Sequence, residues 1–501
     1  MKSKKSILKM LTLGFTSVFI GGAVLSVSAA PSKDVLKLSK QQAVDISIKN
    51  SNDMKRLETG MDQLDRNFKK YKKLSTEAEQ AMDDFDEYKS AYKKLNSDDF
   101  KQESKKLIEA VEGYNEAEKK LKELQEQLAK LPAGTPEDDP VKAAIKQGIA
   151  KAQGTMKYIE EQIKPATIEY MRKQYDEMKA KLAEFEAAKA KLIAVGLADK
   201  TTGAPRNLTS KEEYNFFIMP RDIPWYTVQC MIEKTVKKKE FATSALDVGV
   251  KEAYDNLLYA KEGYNLKKQL YDRMLKGYKD LVKTCEAGQA SELQKNLTKI
   301  DLDKTKLELD KLSRDIENGK IQFKNALGVS LTQEIELTDS LNKAVKQPLS
   351  YQEYLSSALG ARSEIFDTSV DLKEKKRTMD ILKDYFDDED YEYMDAEKAL
   401  DEASVALDEA KKNVEENIQR AYLDVIQKNR EIDLASKNVD KAKQQLDSAS
   451  KAYELGTKPV SLTWDADLGL NKAQMDYNTA VRNYNIALYK LEKASKVGPA
   501  Y

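Results

Sequence analysis

Histidine is absent from the 501-residue chain. This excludes imidazole acid/base chemistry, Ser-His-Asp and Cys-His nucleophile systems, and histidine metal sites. There are two cysteines, Cys230 and Cys285, too few for a disulfide framework. If one helix runs through both, they lie about 80 Å apart and cannot bridge within a chain. Eleven prolines and twenty glycines are few for this length, so a collagen-like or low-complexity chain is excluded. Charge of one sign is missing too, with 84 Lys+Arg against 84 Asp+Glu. Nucleic-acid binders concentrate basic charge on one surface, and this balance argues against that role. What is there is a mixture rich in Ala, Leu, Lys, Glu and Asp, 34% charged, which suits long surface-exposed helices.

Residues 1–29 read as a secretory signal. Lys2, Lys4, Lys5 and Lys9 form a positive start, Met10 to Val27 carries no charge, and Val27-Ser28-Ala29 offers small residues for cleavage. The alternative is an uncleaved anchor, since the apolar stretch is close to the length of a membrane helix. No Cys follows the site, so a lipoprotein signal is not expected, and nothing later in the chain approaches a transmembrane helix. The expectation is an exported protein of the cell envelope, in the outer membrane if one is present, otherwise at the cell surface or outside. Without the leader the chain carries 80 basic and 84 acidic residues, about −4 in charge.

The remaining pattern is written twice. Ala253-Tyr254 and Gly288 recur as Ala421-Tyr422 and Gly456 at an offset of 168. An apolar stripe at Ile432, Ala435, Val439, Ala442, Leu446, Ala449 and Tyr453 has counterparts at Tyr264, Lys267, Tyr271, Met274, Tyr278, Leu281 and Cys285. Only Lys267 breaks the apolar series. Beyond each glycine the stripe resumes, from Leu470 to Ala494 and from Leu302 to Ala326. Spacings alternating between three and four describe a coiled-coil seam, and alanine at alternate places lets helices approach closely. Each copy therefore predicts two long helices meeting at a turn near Gly288 or Gly456, the first running from about Trp225 for roughly 90 Å. Cys285 falls on this seam and is expected to be a buried structural thiol. Leu38-Ser39 and Leu349-Ser350, each followed by an apolar helical face, read as matching helix entries.

The fold class expected is all-α: long antiparallel coiled-coil helices in two repeats with little or no β-structure. The first repeat covers 30–346 and the second 347–501. The first carries an insertion at about 66–224, which reads as a helical hairpin of Asp65 to Leu131 and Val141 to Val195 around a Pro-rich turn. A loop with Gly203, Pro205, Pro220 and Pro224 follows. Phe216-Phe217-Ile218-Met219 and Trp225-Tyr226 are its apolar patch, read as packing on neighbouring helices, with a partner or membrane contact as the alternative.

The run Gly456-Thr457-Lys458-Pro459-Val460-Ser461-Leu462-Thr463-Trp464-Asp465-Ala466 resembles the turn of the TolC-like outer-membrane efflux proteins, a Gly-Thr-Arg followed by spaced aspartates and alanine. Leu38-Ser39 with Ala43 and Ala326-Leu327-Gly328 resemble that family's repeat start and end. The resemblance covers roughly 36–65, 225–330 and 347–498. It implies a trimeric helical tunnel with the turns at its inner end, an adaptor protein docking on the helices and an inner-membrane pump supplying the driving force. Carried over by residue, Gly288, Gly456, Lys458 and Asp465 mark the tunnel entrance and adaptor-docking turns, with Asp465 an entrance acid. The alternative for Asp465 is a helix-start acid favoured by the helix dipole. Leu462 stands where the family often has another acid.

The family inserts membrane strands between its long helices, and a spanning strand needs about 9–11 alternating residues. The second copy breaks mainly at Tyr385-Phe386-Asp387-Asp388-Glu389-Asp390, and the first offers only the Pro-interrupted 206–230 stretch. The expectation is a divergent member whose barrel strands are reduced or absent. Its function is read as forming a helical conduit in an efflux or secretion system. The alternatives are an exported coiled-coil spacer or scaffold and a helical pore-forming secreted protein. No enzyme activity, cofactor or metal is expected, since there is neither a phosphate loop nor a thiol motif. The sequons at Asn207 and Asn296 read as chance matches.

Overall fold

The computed structural model describes residues 35–345, 348–458 and 460–498; the leader at 1–29 lies outside them. Among the described residues the chain is mainly helical, with turns and loops between the helices and two three-residue strands. These strands, β1 (Leu36–Leu38) and β2 (Ile335–Leu337), pair in parallel with Leu36 opposite Ile335. The helices are α1 (Lys40–Asn50), α2 (Asn52–Leu95), α3 (Asp98–Ala129), α4 (Pro140–Gln162), α5 (Ile168–Val195), α6 (Ser210–Glu213), α7 (Met219–Asp222) and α8 (Pro224–Glu286). They continue with α9 (Glu292–Leu327), α10 (Tyr351–Ala361), α11 (Ser363–Leu382), α12 (Tyr391–Glu454) and α13 (Val460–Ala494). The all-α, two-repeat class expected from the sequence is the one observed. No helix among the described residues is long and apolar enough to cross a membrane.

The chain divides into two compact units. The first comprises Met1–Met61, Lys234–Ser369 and Val405–Tyr501; the second comprises Asp62–Glu233 and Val370–Ser404.

In the first unit the duplication is legible residue by residue. Helices α8 and α9 end and begin at 286 and 292, α12 and α13 at 454 and 460, the same offset of 168. Each repeat opens with an eleven-residue helix, α1 or α10. Ser39 and Ser350 cap these helices, and each forms a capping box, with Gln42 and Glu353 respectively. One extended residue then interrupts the helix, Ser51 in the first copy and Arg362 in the second. Two apolar cores follow. In the first copy Leu38, Ala43, Val44, Tyr254, Phe323 and Leu327 pack together. In the second, Tyr354, Ala358, Ile418, Val425, Leu488 and Leu491 do so. The seams behave as their spacing predicts: Leu270, Met274 and Leu302 are buried in one hairpin, Ile432, Ala435, Ala480 and Ala487 in the other. Lys267, the break in the apolar series, pairs with Glu308 across the first hairpin. Cys285 corrects the sequence expectation: it is only partly buried, because it lies in the last turn before the hairpin end, where the seam runs out. Its thiol donates to Glu292 Oε1 at 3.3 Å, which holds its pKa above the usual thiol value. Cys230 is the buried thiol, and both lie on α8.

In the second unit the two arms of the expected hairpin are each broken. The first stops at Asn96, and Ser97 caps α3 by accepting from Phe100 N–H. The second breaks at Ile163–Thr167, where Pro165 cannot continue the helix and Thr167 caps α5. The stretch expected to be a loop is helical from Ser210 to Asp222. Thr209 and Glu212 form a capping box there, a π-helical turn at Tyr214–Ile218 precedes Pro220, and Pro224 occupies a first-turn position that lacks a hydrogen-bond partner anyway. Phe217 and Ile218 are buried against Phe85, Tyr88, Leu192 and Phe386, so the centre of the apolar patch is core, while Phe216 beside them is exposed.

Candidate functional site

The two hairpin ends are built alike. Gly288 N–H donates to Cys285 O at 2.9 Å and Gln289 N–H to Thr284 O at 2.9 Å. Gly456 N–H donates to Tyr453 O at 2.8 Å and Thr457 N–H to Ala452 O at 3.0 Å. This pair of bonds closes a helix through a left-handed residue, and the two glycines have φ of 74° and 72°. A side chain would meet nothing within 4 Å at either position, so a substitution costs backbone strain alone. Gly456→Ala is expected to lower stability by about 1–2 kcal/mol, read as a lower urea midpoint with unchanged slope. Lys458 and Asp465 are both exposed, one in the turn and one in the first turns of α13.

Sequence reasoning missed the acid that the structure holds here. Asp467 is buried and bonded twice to Arg273, Nε to Oδ2 at 2.6 Å and Nη2 to Oδ1 at 2.7 Å. Arg273 is the single arginine of α8 among many lysines, and paired bonding to a carboxylate needs the planar guanidinium. That lone arginine was the available signal. The pair joins the first copy to the second and is continued along both helices. Trp464 covers Gly277, where a Cβ would stand 2.9 Å from the indole ring. Asn471 Nδ2 donates to Leu266 O at 2.9 Å. Met475 reaches Gly263, and Arg482 lies 4.4 Å over the Tyr259 ring. Helices α8 and α13 are thus antiparallel neighbours.

The same interface ends in a buried charged cluster. Asp255 is fully buried and takes a 2.7 Å ion pair from Lys40, whose ammonium also donates to Tyr489 Oη at 2.7 Å. Burial pushes the Asp255 carboxyl above the usual carboxylate value, against the pull of Lys40. Burial and the neighbouring Asp255 push the Tyr489 hydroxyl up as well. Lys40 N–H donates to Asp339 Oδ2 at 2.8 Å, and Tyr254 Oη donates to Leu38 O at 2.8 Å, so the segments on either side of β1 and β2 are tied to this cluster. Nearby, Asp247 is held below the usual carboxylate value by Lys251 and Lys493, which outweigh its burial.

Offset by 168, this interface has an unfilled mate. Tyr489 corresponds to Ile321, Asp255 to Leu423, Leu266 to Leu434 and Met475 to Leu307. All four counterparts are exposed: Ile321 at 45%, Leu423 at 58%, Leu434 at 62% and Leu307 at 66%. With Leu293 and Ile300 also exposed, α9 presents Leu293, Ile300, Leu307 and Ile321 on a seven-residue repeat, with Arg314 in the same series.

No protein-family model matches the chain, and no curated protein matches it. Among solved structures it is similar to a membrane protein from Pseudomonas aeruginosa, with 15% identity over 55% of this chain and 71% of that one and a TM-score of 0.48. It is similar to CusC at 14% identity, over 55% and 73% of the two chains, with a TM-score of 0.47. It is also similar to the outer membrane protein VceC from Vibrio cholerae at 13% identity, over 55% and 75%, with a TM-score of 0.45. The structures found are outer-membrane channels of the TolC family, the family that the turn and repeat starts resemble.

Proposed function

We propose that this chain is a TolC-like envelope component whose copies join through their repeats into a helical conduit of an efflux or secretion system. The observation that carries the reading is the unfilled mate of the α8–α13 interface. Inside one chain, the outer face of α13 packs on α8. The equivalent faces of α9 and α12 are open and expose Leu307 and Ile321 on one and Leu423 and Leu434 on the other, among polar residues. A heterologous contact that repeats from chain to chain closes into a ring when its rotation allows. Three copies, giving six repeats, is the number that the family resemblance implies. The Arg273–Asp467 pair is not repeated at the open faces, where Lys441 and Lys299 stand as like charges that oppose the joint, so in this reading apolar contact at Ile321, Leu423, Leu434 and Leu307 has to carry it.

In this reading Gly288 and Gly456 lie at one end of the conduit, with Lys458 and Asp465 beside it as candidates for an adaptor-docking rim. Where the family inserts membrane strands, this chain has helices α2 to α7 in the first copy and α11 with the 383–390 turn in the second. The conduit proposed is therefore one of helices. The test is the solution mass of the mature chain, from Ala30 onward, by light scattering without detergent. A stable particle of three chains is expected. A monomer at all concentrations would remove the conduit and leave an exported helical spacer.

A further inference from the structure

The two repeats differ at one further equivalent place. The extended residue after the opening helix is Arg362 in the second copy, and its side chain is completely buried. It donates Nη1 to Ala494 O at 3.0 Å and Nη2 to Glu364 Oε1 at 2.7 Å. The cleft around it, against Ala410 and Val414 of α12, keeps only about 200 Å³. In the first copy Ser51 takes that place, and the cleft is open at about 660 Å³. Its wall is apolar, with Leu57, Phe241, Leu246 and Val250 over the small Ala245 and Gly249.

Two features say what fits it. The helix-end carbonyls that a plug would otherwise have to satisfy are already bonded: Ser47 Oγ donates to Ala326 O at 2.7 Å and Asn50 Nδ2 to Leu327 O at 3.0 Å. The interior therefore makes no polar demand and favours an apolar body. The charged lining is Arg56, Lys238 and a single acid, Asp53. Arg56 meets Asp53 only at 3.4 Å, with the acid 81% exposed, so that pair holds the guanidinium weakly. The excess of positive charge at the rim favours an anionic head.

We propose that this groove binds a single-chain amphiphilic anion of the free long-chain carboxylate class. Its chain lies along the apolar wall, and its carboxylate meets Arg56 and Lys238. The site belongs to one chain and does not depend on assembly of a conduit.

The probe is cis-parinarate, titrated by fluorescence into the full mature chain. Saturable binding of one equivalent per chain is expected, displaced by laurate and not by dodecylamine. Ser51→Arg installs the plug that the second copy carries, and is expected to weaken binding at least about tenfold. Lys238→Glu, a surface change, is expected to weaken it about three- to fivefold with helicity intact. The proposal is overturned if Ser51→Arg folds and binds as the parent does, or if dodecylamine displaces as well as laurate. It is also overturned if Ser51→Arg alters the solution mass but not the binding, which would mean that a second copy covers the groove. Should Ser51→Arg not fold, unchanged affinity in Lys238→Glu decides against the site.

Discussion

Lys40→Met is expected to lower the unfolding free energy by about 3–5 kcal/mol at neutral pH, because it leaves the Asp255 carboxylate buried without its counter-charge. The size of the effect follows from full burial of the acid. The pH dependence identifies its source. A carboxyl whose folded pKa lies above its unfolded value contributes stability that is present below the unfolded value and lost as pH rises through the folded one. Asp255 is such a group already, and removal of Lys40 raises it further. The deficit of the variant is therefore expected to be smaller at pH 4 than at pH 7, because proton uptake by Asp255 removes the buried charge. Urea unfolding at both pH values measures it. The double variant Lys40→Met/Asp255→Asn is expected to recover much of the loss, since no buried charge is left behind. Equal deficits at the two pH values, or no recovery in the double variant, would show that packing of the Lys40 stem rather than charge is at work. Asp247 shifts in the opposite direction, and its contribution is lost as pH falls. It is common to parent and variant, and cancels in the comparison.

The second large effect concerns assembly. Tyr489 and Asp255 meet within the chain, and their counterparts Ile321 and Leu423 are exposed. If chains join through the repeated interface, cysteines placed at 321 and 423 face each other between chains. Ile321→Cys/Leu423→Cys, in a background with Cys230→Ala and Cys285→Ser, is expected to give covalent ladders on mild oxidation, ending at the closed ring size. Either single variant gives at most dimers. A pair such as Leu293→Cys with Leu423→Cys is the control, since the antiparallel register sets these positions many turns apart. Cross-linking as efficient in the control as in the matched pair would sink the repeated interface, whatever the solution mass. The open face of α9 explains why the effect should be large. Exposed Leu293, Ile300, Leu307 and Ile321 recur at one heptad position, interrupted by Arg314, and clustered exposed apolar residues on a helix mark interaction surfaces.

The long helices, their pairing into two hairpins and the turns at Gly288 and Gly456 were determined by sequence alone. They rest on local physics: a three-four apolar stripe can be buried only as a helical seam, and a glycine after the last apolar position supplies the left-handed residue that closes it. The 168-residue offset made the second hairpin a repetition of the first. Tertiary structure decided the rest. That Asp467 rather than Asp465 is the buried acid depends on which face of α13 meets α8, and both acids look alike in a charged helix. Lys40, Asp255 and Tyr489 come from three distant parts of the chain, and nothing in their own neighbourhoods singles them out. Cys285 sits on the seam by spacing yet is only partly buried, because a seam ends where its partner helix ends. The stretch around Pro205, Pro220 and Pro224 reads as a loop, but the capping box at Thr209 starts a helix that runs through a π-helical turn at Tyr214–Ile218 to Asp222, and Pro224 opens the next one. Sequence periodicity states that a face is apolar; which neighbour covers it, and whether that neighbour lies in the same chain, is set by packing between segments that the periodicity does not connect.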